Sequence, residues 1–107
     1  MPTPATLSFY QRFEADIVAG LKTITLRDDT CRDLVTGDRL LVTSVPSGRV
    51  FGVIEVRATS LVAVTQLDES HARQENMTLA ELRAVLQDIY PGLTTLHAVT
   101  FVFVGRA

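Results

Sequence analysis

Lys22, Thr25 and Arg27 stand close together in the stretch AGLKTITLRDD, residues 19–29. An amine, a hydroxyl and a guanidinium are the parts of a metal-free acyl-transfer site. The hydroxyl attacks a carbonyl, the amine takes its proton, and the cation steadies the charge that develops. Each residue also has an ordinary explanation, because strands often begin with a solvated lysine and threonine is a good strand former. A second polar concentration, HARQEN at residues 71–76, carries Glu75 and Asn76 near the end of a short helical pattern. By pattern alone, solvated surface is the more ordinary reading of both. Two details weigh against it. Thr25 shares a strand face with Thr23 and Arg27 that is polar but not densely charged. Glu75 falls on the helical stripe of Leu67, so it points inward, where an unpaired carboxylate is costly. It requires a partner, and Lys22 and Arg27 are the candidates.

Other chemistries find little support. His71 and His97 are widely separated, and neither Cys-x-x-Cys nor His-x-x-x-His spacing occurs, so no metal site is expected. His97 opens an apolar strand and reads as structural. Cys31 lies among carboxylates in DDTCRD, which disfavours a reactive thiolate. No Gly-rich phosphate loop is present, and no cofactor is implied.

The elements that must position these residues follow from periodicity. Ser8 and Gln11 resemble a capping box, and Phe9, Phe13 and Ile17 recur at every fourth position, which predicts a helix over residues 9–19 stopped by Gly20. In KTITLR, Ile24 and Leu26 face one way and Thr23, Thr25 and Arg27 the other. Lys22 and Thr25 are three apart and diverge in a regular strand, so they converge only if Lys22 sits in the bend after Gly20. A polar loop follows and closes at Gly37-Asp38. RLLVTSV and RVFGVIEVRATSLVAV read as strands hinged at Pro46-Ser47-Gly48, with a bulge or bend at Gly52 or around Ala58. A Thr65 cap is expected for the helix carrying Leu67, His71 and Glu75. Thr78 and Glu81 form a capping box for a second helix, which Tyr90-Pro91-Gly92 ends. LHAVTFVFV predicts a strand buried on both faces. This order suggests an α+β fold, a small curved mixed sheet or barrel with helices on its outside and at one end.

With 107 residues, one domain over 1–107 is expected. Hydrophobic residues make up 47% and the net charge is -2, which argues against non-specific binding of long nucleic acid through phosphates. No apolar run approaches the ~20 residues of a membrane span, and MPTPATLS has no basic region or apolar run of a secretory signal. The single cysteine fits a reducing compartment. A cytoplasmic location is expected.

The motifs FYQRF, KTITLRD, TGD, IEVRATS, HARQENMTLAEL and IYPG, in this order over residues 9–92, carry a resemblance. The chain resembles the small bacterial ASCH-domain proteins of the YqfB type, the N(4)-acetylcytidine amidohydrolases. It departs from that pattern at Leu21 and in the 28–36 loop. The resemblance implies a PUA-like β-barrel with helices packed on it, and hydrolysis of N(4)-acetylcytidine to cytidine and acetate without a metal or cofactor. Its catalytic lysine, threonine and glutamate correspond to Lys22, Thr25 and Glu75, as proton acceptor, nucleophile and proton donor. Arg27 is assigned to substrate binding. In a rival assignment Glu75 activates water, Lys22 stabilises the oxyanion and Thr25 positions the substrate. The partner implied is a small nucleoside. The alternative function is a non-catalytic PUA-like RNA-binding module, against which the net charge and the lack of aromatic-basic interleaving count.

Overall fold

The computed structural model describes residues 6–28, 31 and 33–106. Five strands, β1 (Thr6–Tyr10), β2 (Ile24–Arg27), β3 (Arg39–Val45), β4 (Val50–Ala63) and β5 (Thr95–Gly105), form one sheet in the order β1-β3-β4-β5-β2. β1 runs parallel to β3 and every other pair is antiparallel. The sheet curls because β4 is bulged. Phe51 is the extra residue against β3 and Arg57 against β5, one on each side of the long strand. Both lie next to the places where the sequence pattern calls for a bend.

Curling leaves a half-barrel whose edge strands, β1 and β2, face each other without pairing among the described residues. The guanidinium of Arg27 reaches across this seam to the Ser8 carbonyl. Phe9, Val42, Ile54, Val56, Val99 and Phe101 fill the concave side together with Ile17 of α1 (Glu14–Val18) and Cys31. On the convex side α2 (Glu69–Gln74) and α3 (Leu79–Ile89) pack Leu82 and Leu86 onto Ile24, Leu26, Leu96 and Ala98. β5 is thus buried on both faces only in its first half. Beyond the helices Val102 and Val104 are exposed. Among the described residues no helix is long and apolar enough to cross a membrane.

Two local expectations are corrected. The helix expected over 9–19 begins late: Thr6–Tyr10 is a strand, Gln11–Phe13 is a 3-10 turn, and only Glu14–Val18 is α-helical, without a Ser8 cap. Leu7 and Phe9 have a period of two that overlaps the four-residue spacing, and pairing with β3 supplies the backbone hydrogen bonds that a helix would otherwise make. The cap of α2 is Asp68, not Thr65, which lies in a 3-10 turn. The Asp68 carboxylate accepts from Ser70 N at 2.9 Å and His71 N at 3.4 Å. The Thr78–Glu81 box of α3 forms as expected, at 3.1 and 3.0 Å. In the 28–36 loop, Asp29, Thr30 and Arg32 lie outside the described residues.

Candidate active site

Gly20 (φ 79°) ends α1, and both Leu21 N and Lys22 N then donate to Asp16 O, at 2.8 and 3.1 Å. That bend places Lys22 before the regular alternation of β2 begins. Lys22 and Thr25 can therefore face one cavity, although residues three apart would diverge in a regular strand. The next residue is held from two sides: Thr23 N donates to Gln74 O at 2.7 Å, and Thr23 O accepts from Phe101 N at 2.8 Å. The start of β2 is fixed against the end of α2 and against β5.

Glu75 is the C-cap of α2, its N–H donating to His71 O at 3.0 Å. Asn76 follows with φ 57°, a left-handed conformation that asparagine tolerates, and turns the chain toward α3. Asn76 serves that turn rather than the chemistry. Glu75, Lys22 and Thr25 are respectively 5%, 3% and 4% exposed. The partner that the inward glutamate demands is Lys22, whose Nζ donates to Glu75 Oε1 and, at 2.9 Å, to Ile24 O. Nζ also lies 5.0 Å from the Phe13 ring centroid. Thr25 Oγ1 accepts from Arg27 Nε at 2.9 Å, so the hydroxyl's hydrogen-bond partner here is the guanidinium, not the amine.

Burial pushes Lys22 down from its ordinary value. Arg27 adds to this and Glu75 opposes it. Burial pushes Glu75 up, against the pull of Lys22. The glutamate shift comes from desolvation, as its inward position requires. Burial thus biases both members of this adjacent amine–carboxyl pair toward their uncharged forms, against their mutual attraction.

These four residues line a cavity of about 250 Å³. Phe9, Tyr10 and Phe13 form one wall, and Val85, Ile89 and Tyr90 stand on the α3 side. Phe9 and Phe13, expected on a core stripe, and Tyr90, expected only at a helix end, line the cavity together with Tyr10, without a sequence signal of their own for that role. The alternation of Leu7 and Phe9 is the signal that separates the wall from a helix stripe. Among the described residues no group of three or more His, Cys, Asp or Glu converges as a metal site. His97, opposite Arg27 in the β2–β5 ladder, is half-buried.

The chain is 44% identical over 101 residues to the N(4)-acetylcytidine amidohydrolase of Vibrio vulnificus strain YJ016, covering 94% of this chain and 97% of that protein. It belongs to the N(4)-acetylcytidine amidohydrolase family. A second member, from Escherichia coli strain ATCC 8739, is 49% identical over 98 residues, covering 92% of this chain and 95% of that one. No family model matches the chain. Among solved structures, the ASCH domain of Lactobacillus crispatus JV V101 superimposes with a TM-score of 0.74 at 18% identity, covering 86% of this chain and 70% of that one. The ASCH protein of Zymomonas mobilis gives 0.68 at 20%, covering 90% and 64%. This amidohydrolase-family chain therefore has the ASCH fold, as its α+β half-barrel indicated.

Proposed function

We propose that the protein hydrolyses the acetyl amide of N(4)-acetylcytidine, releasing cytidine and acetate. The observation that carries this reading is the buried Lys22–Glu75 pair beside the Thr25 hydroxyl in one cavity. About 250 Å³ lies just below the ~300–1,000 Å³ of typical small-molecule sites, so it suits one nucleoside rather than a strand.

In the proposed mechanism the neutral Lys22 amine takes the Thr25 proton as Oγ1 attacks the acetyl carbon. The carbon–nitrogen bond then breaks, its electrons returning to the cytosine amine, and the Glu75 carboxyl delivers a proton there or at ring N3. Delocalisation into the ring makes this amine a better leaving group than an alkyl amine. Lys22 is now an ammonium and Glu75 a carboxylate. For deacylation, Glu75 takes a proton from water as its oxygen adds to the acetyl carbon, and Lys22 returns a proton to the departing Thr25 oxygen. The pair ends as it began. Arg27 is assigned to substrate binding, through N–H groups not engaged by Thr25 and Ser8.

Incubation with N(4)-acetylcytidine, followed by chromatography for cytidine, tests the reading. Cytidine formation is expected. Unchanged substrate at high enzyme concentration, together with salt-sensitive retention of RNA, would replace it with the RNA-binding alternative.

A further inference from the structure

The guanidinium of Arg27 is held at three places. Nε donates to Thr25 Oγ1 at 2.9 Å, Nη2 donates to the Ser8 carbonyl, and Cζ lies 4.8 Å from the Phe9 ring centroid. Ser8 and Phe9 belong to β1, Thr25 and Arg27 to β2, the two edges of the sheet. A planar group whose N–H directions are fixed by one anchor has little freedom at the other. We infer that Arg27 is a positioning residue for the Thr25 nucleophile, braced across the seam by Ser8 and Phe9. This rests on the reading of Thr25 as the attacking group.

The physical consequences are specific. The Nε–H bond occupies a lone pair of Oγ1, so the hydroxyl proton must point away from the guanidinium, toward another acceptor. The β-branched threonine is already stiff about χ1, and the bond selects among its few orientations. A cation donating to an oxygen that becomes alkoxide-like strengthens its bond as charge develops, which is where catalysis gains. Substrate binding alone would not require Nε to face the nucleophile.

The test compares Arg27→Ala, Arg27→Lys, Thr25→Ala and the Thr25→Ala/Arg27→Ala double variant with the wild type on N(4)-acetylcytidine, thermal unfolding checking the fold of each. Arg27→Ala should lower kcat by about 100-fold, the scale of a lost charge-stabilising donor. KM should rise as the substrate-binding N–H groups are lost, so the fall in kcat is what reports the contact with Thr25 Oγ1. Added ethylguanidinium should recover part of the lost rate in Arg27→Ala. Arg27→Lys keeps the charge without the fork and should stay slow. The double variant should be no slower than Thr25→Ala. A raised KM with kcat kept, or losses that multiply in the double variant, would make Arg27 a binding residue only and overturn the inference.

A measurement independent of the proposed substrate separates the two readings. With p-nitrophenyl acetate, the Oγ1–acetyl bond forms as the ester bond to nitrophenolate breaks, the hydroxyl proton passing to base. Peptide mass locates the label. Arg27→Ala should label Thr25 more slowly than the wild type. Equal labelling, or none in the wild type, overturns the inference. Wild-type labelling without N(4)-acetylcytidine hydrolysis sinks only the substrate assignment.

Discussion

Lys22 and Glu75 lie 53 positions apart in the chain, yet Nζ donates to Oε1 inside the cavity while burial pushes each group toward its neutral form. Coulombic attraction holds the pair ionic and desolvation holds it neutral. A pair balanced between these opposing effects suits the proposed cycle of acylation and deacylation.

Variants of the proposed triad should fail together. Lys22→Ala, Thr25→Ala and Glu75→Ala should each lower kcat by at least ~100-fold. Combining them should add little, because removing one member disables the others. Thr25→Ser retains a hydroxyl and should retain part of the rate. Lys22→Arg should be inactive, since a guanidinium does not act as a base near neutrality. An Arg variant nearly as fast as wild type would instead favour attack by water. Steady-state kinetics with N(4)-acetylcytidine, and the mass of rapidly quenched enzyme, decide between them.

Removing one partner should move the other in a known direction. Glu75 supports the charged lysine, so Glu75→Gln should lower the Lys22 pKa further. Lys22 supports the carboxylate, so Lys22→Met should raise the Glu75 pKa further. Site-resolved NMR titration of the two side chains measures both shifts. The first result would also extend the acid limb of any residual activity to lower pH.

Stability should follow the same signs. A raised folded pKa for Glu75 means its contribution is full below the ordinary 4.5 and is lost as pH rises through the folded value. The depressed Lys22 contributes fully above its ordinary 10.5 and loses that contribution as pH falls through its folded value. In the wild type these slopes oppose each other. Lys22→Met keeps only the glutamate slope, so its urea midpoint should fall from acid to mildly alkaline pH more steeply than the wild type's. A parallel pair of pH profiles would contradict the assignment of a buried, coupled pair.

Gly52 should not accept a side chain. A Cβ there would collide with Phe103 Cε1 and stand 2.8 Å from the Gly105 carbonyl oxygen. Gly52→Ala should cost about 1–3 kcal/mol by overpacking, measured by urea unfolding. Adding Phe103→Leu should recover only part, because the backbone oxygen remains.

Catalysis should survive prolonged dialysis against a chelator, since His71 and His97 are not brought together with other ligands among the described residues. The rate on N(4)-acetylcytidine before and after dialysis is the readout. Loss restored specifically by zinc would reveal a metal role.

Much of this was legible before any coordinates. Alternation alone divides Ile24 and Leu26, which pack under α3, from Thr25 and Arg27, which face the cavity. The inward phase of Glu75 demanded a cation, and the bend after Gly20 supplied one. Local pattern did not reveal the choice of Lys22 over Arg27 as that cation. Nor did it reveal the grip of Arg27 on Ser8, 19 residues away, because that depends on how far β4 curls the sheet. β1 was hidden for a related reason. A short parallel edge strand has no turn chemistry of its own, and its pairing partner lies on the far side of α1 and β2.

The main chain of Thr23 carries a consequence for how the protein breathes. Its N–H is given to Gln74 and its carbonyl to Phe101, so one residue splices three segments that are distant in sequence. Thr23 and Phe101 amides should therefore exchange with solvent deuterium only when the β2, β5 and α2 junction opens as a unit. Because these bonds are made by the main chain, they hold positions 22, 25 and 75 in place without drawing on the side chains of Thr23, Gln74 or Phe101.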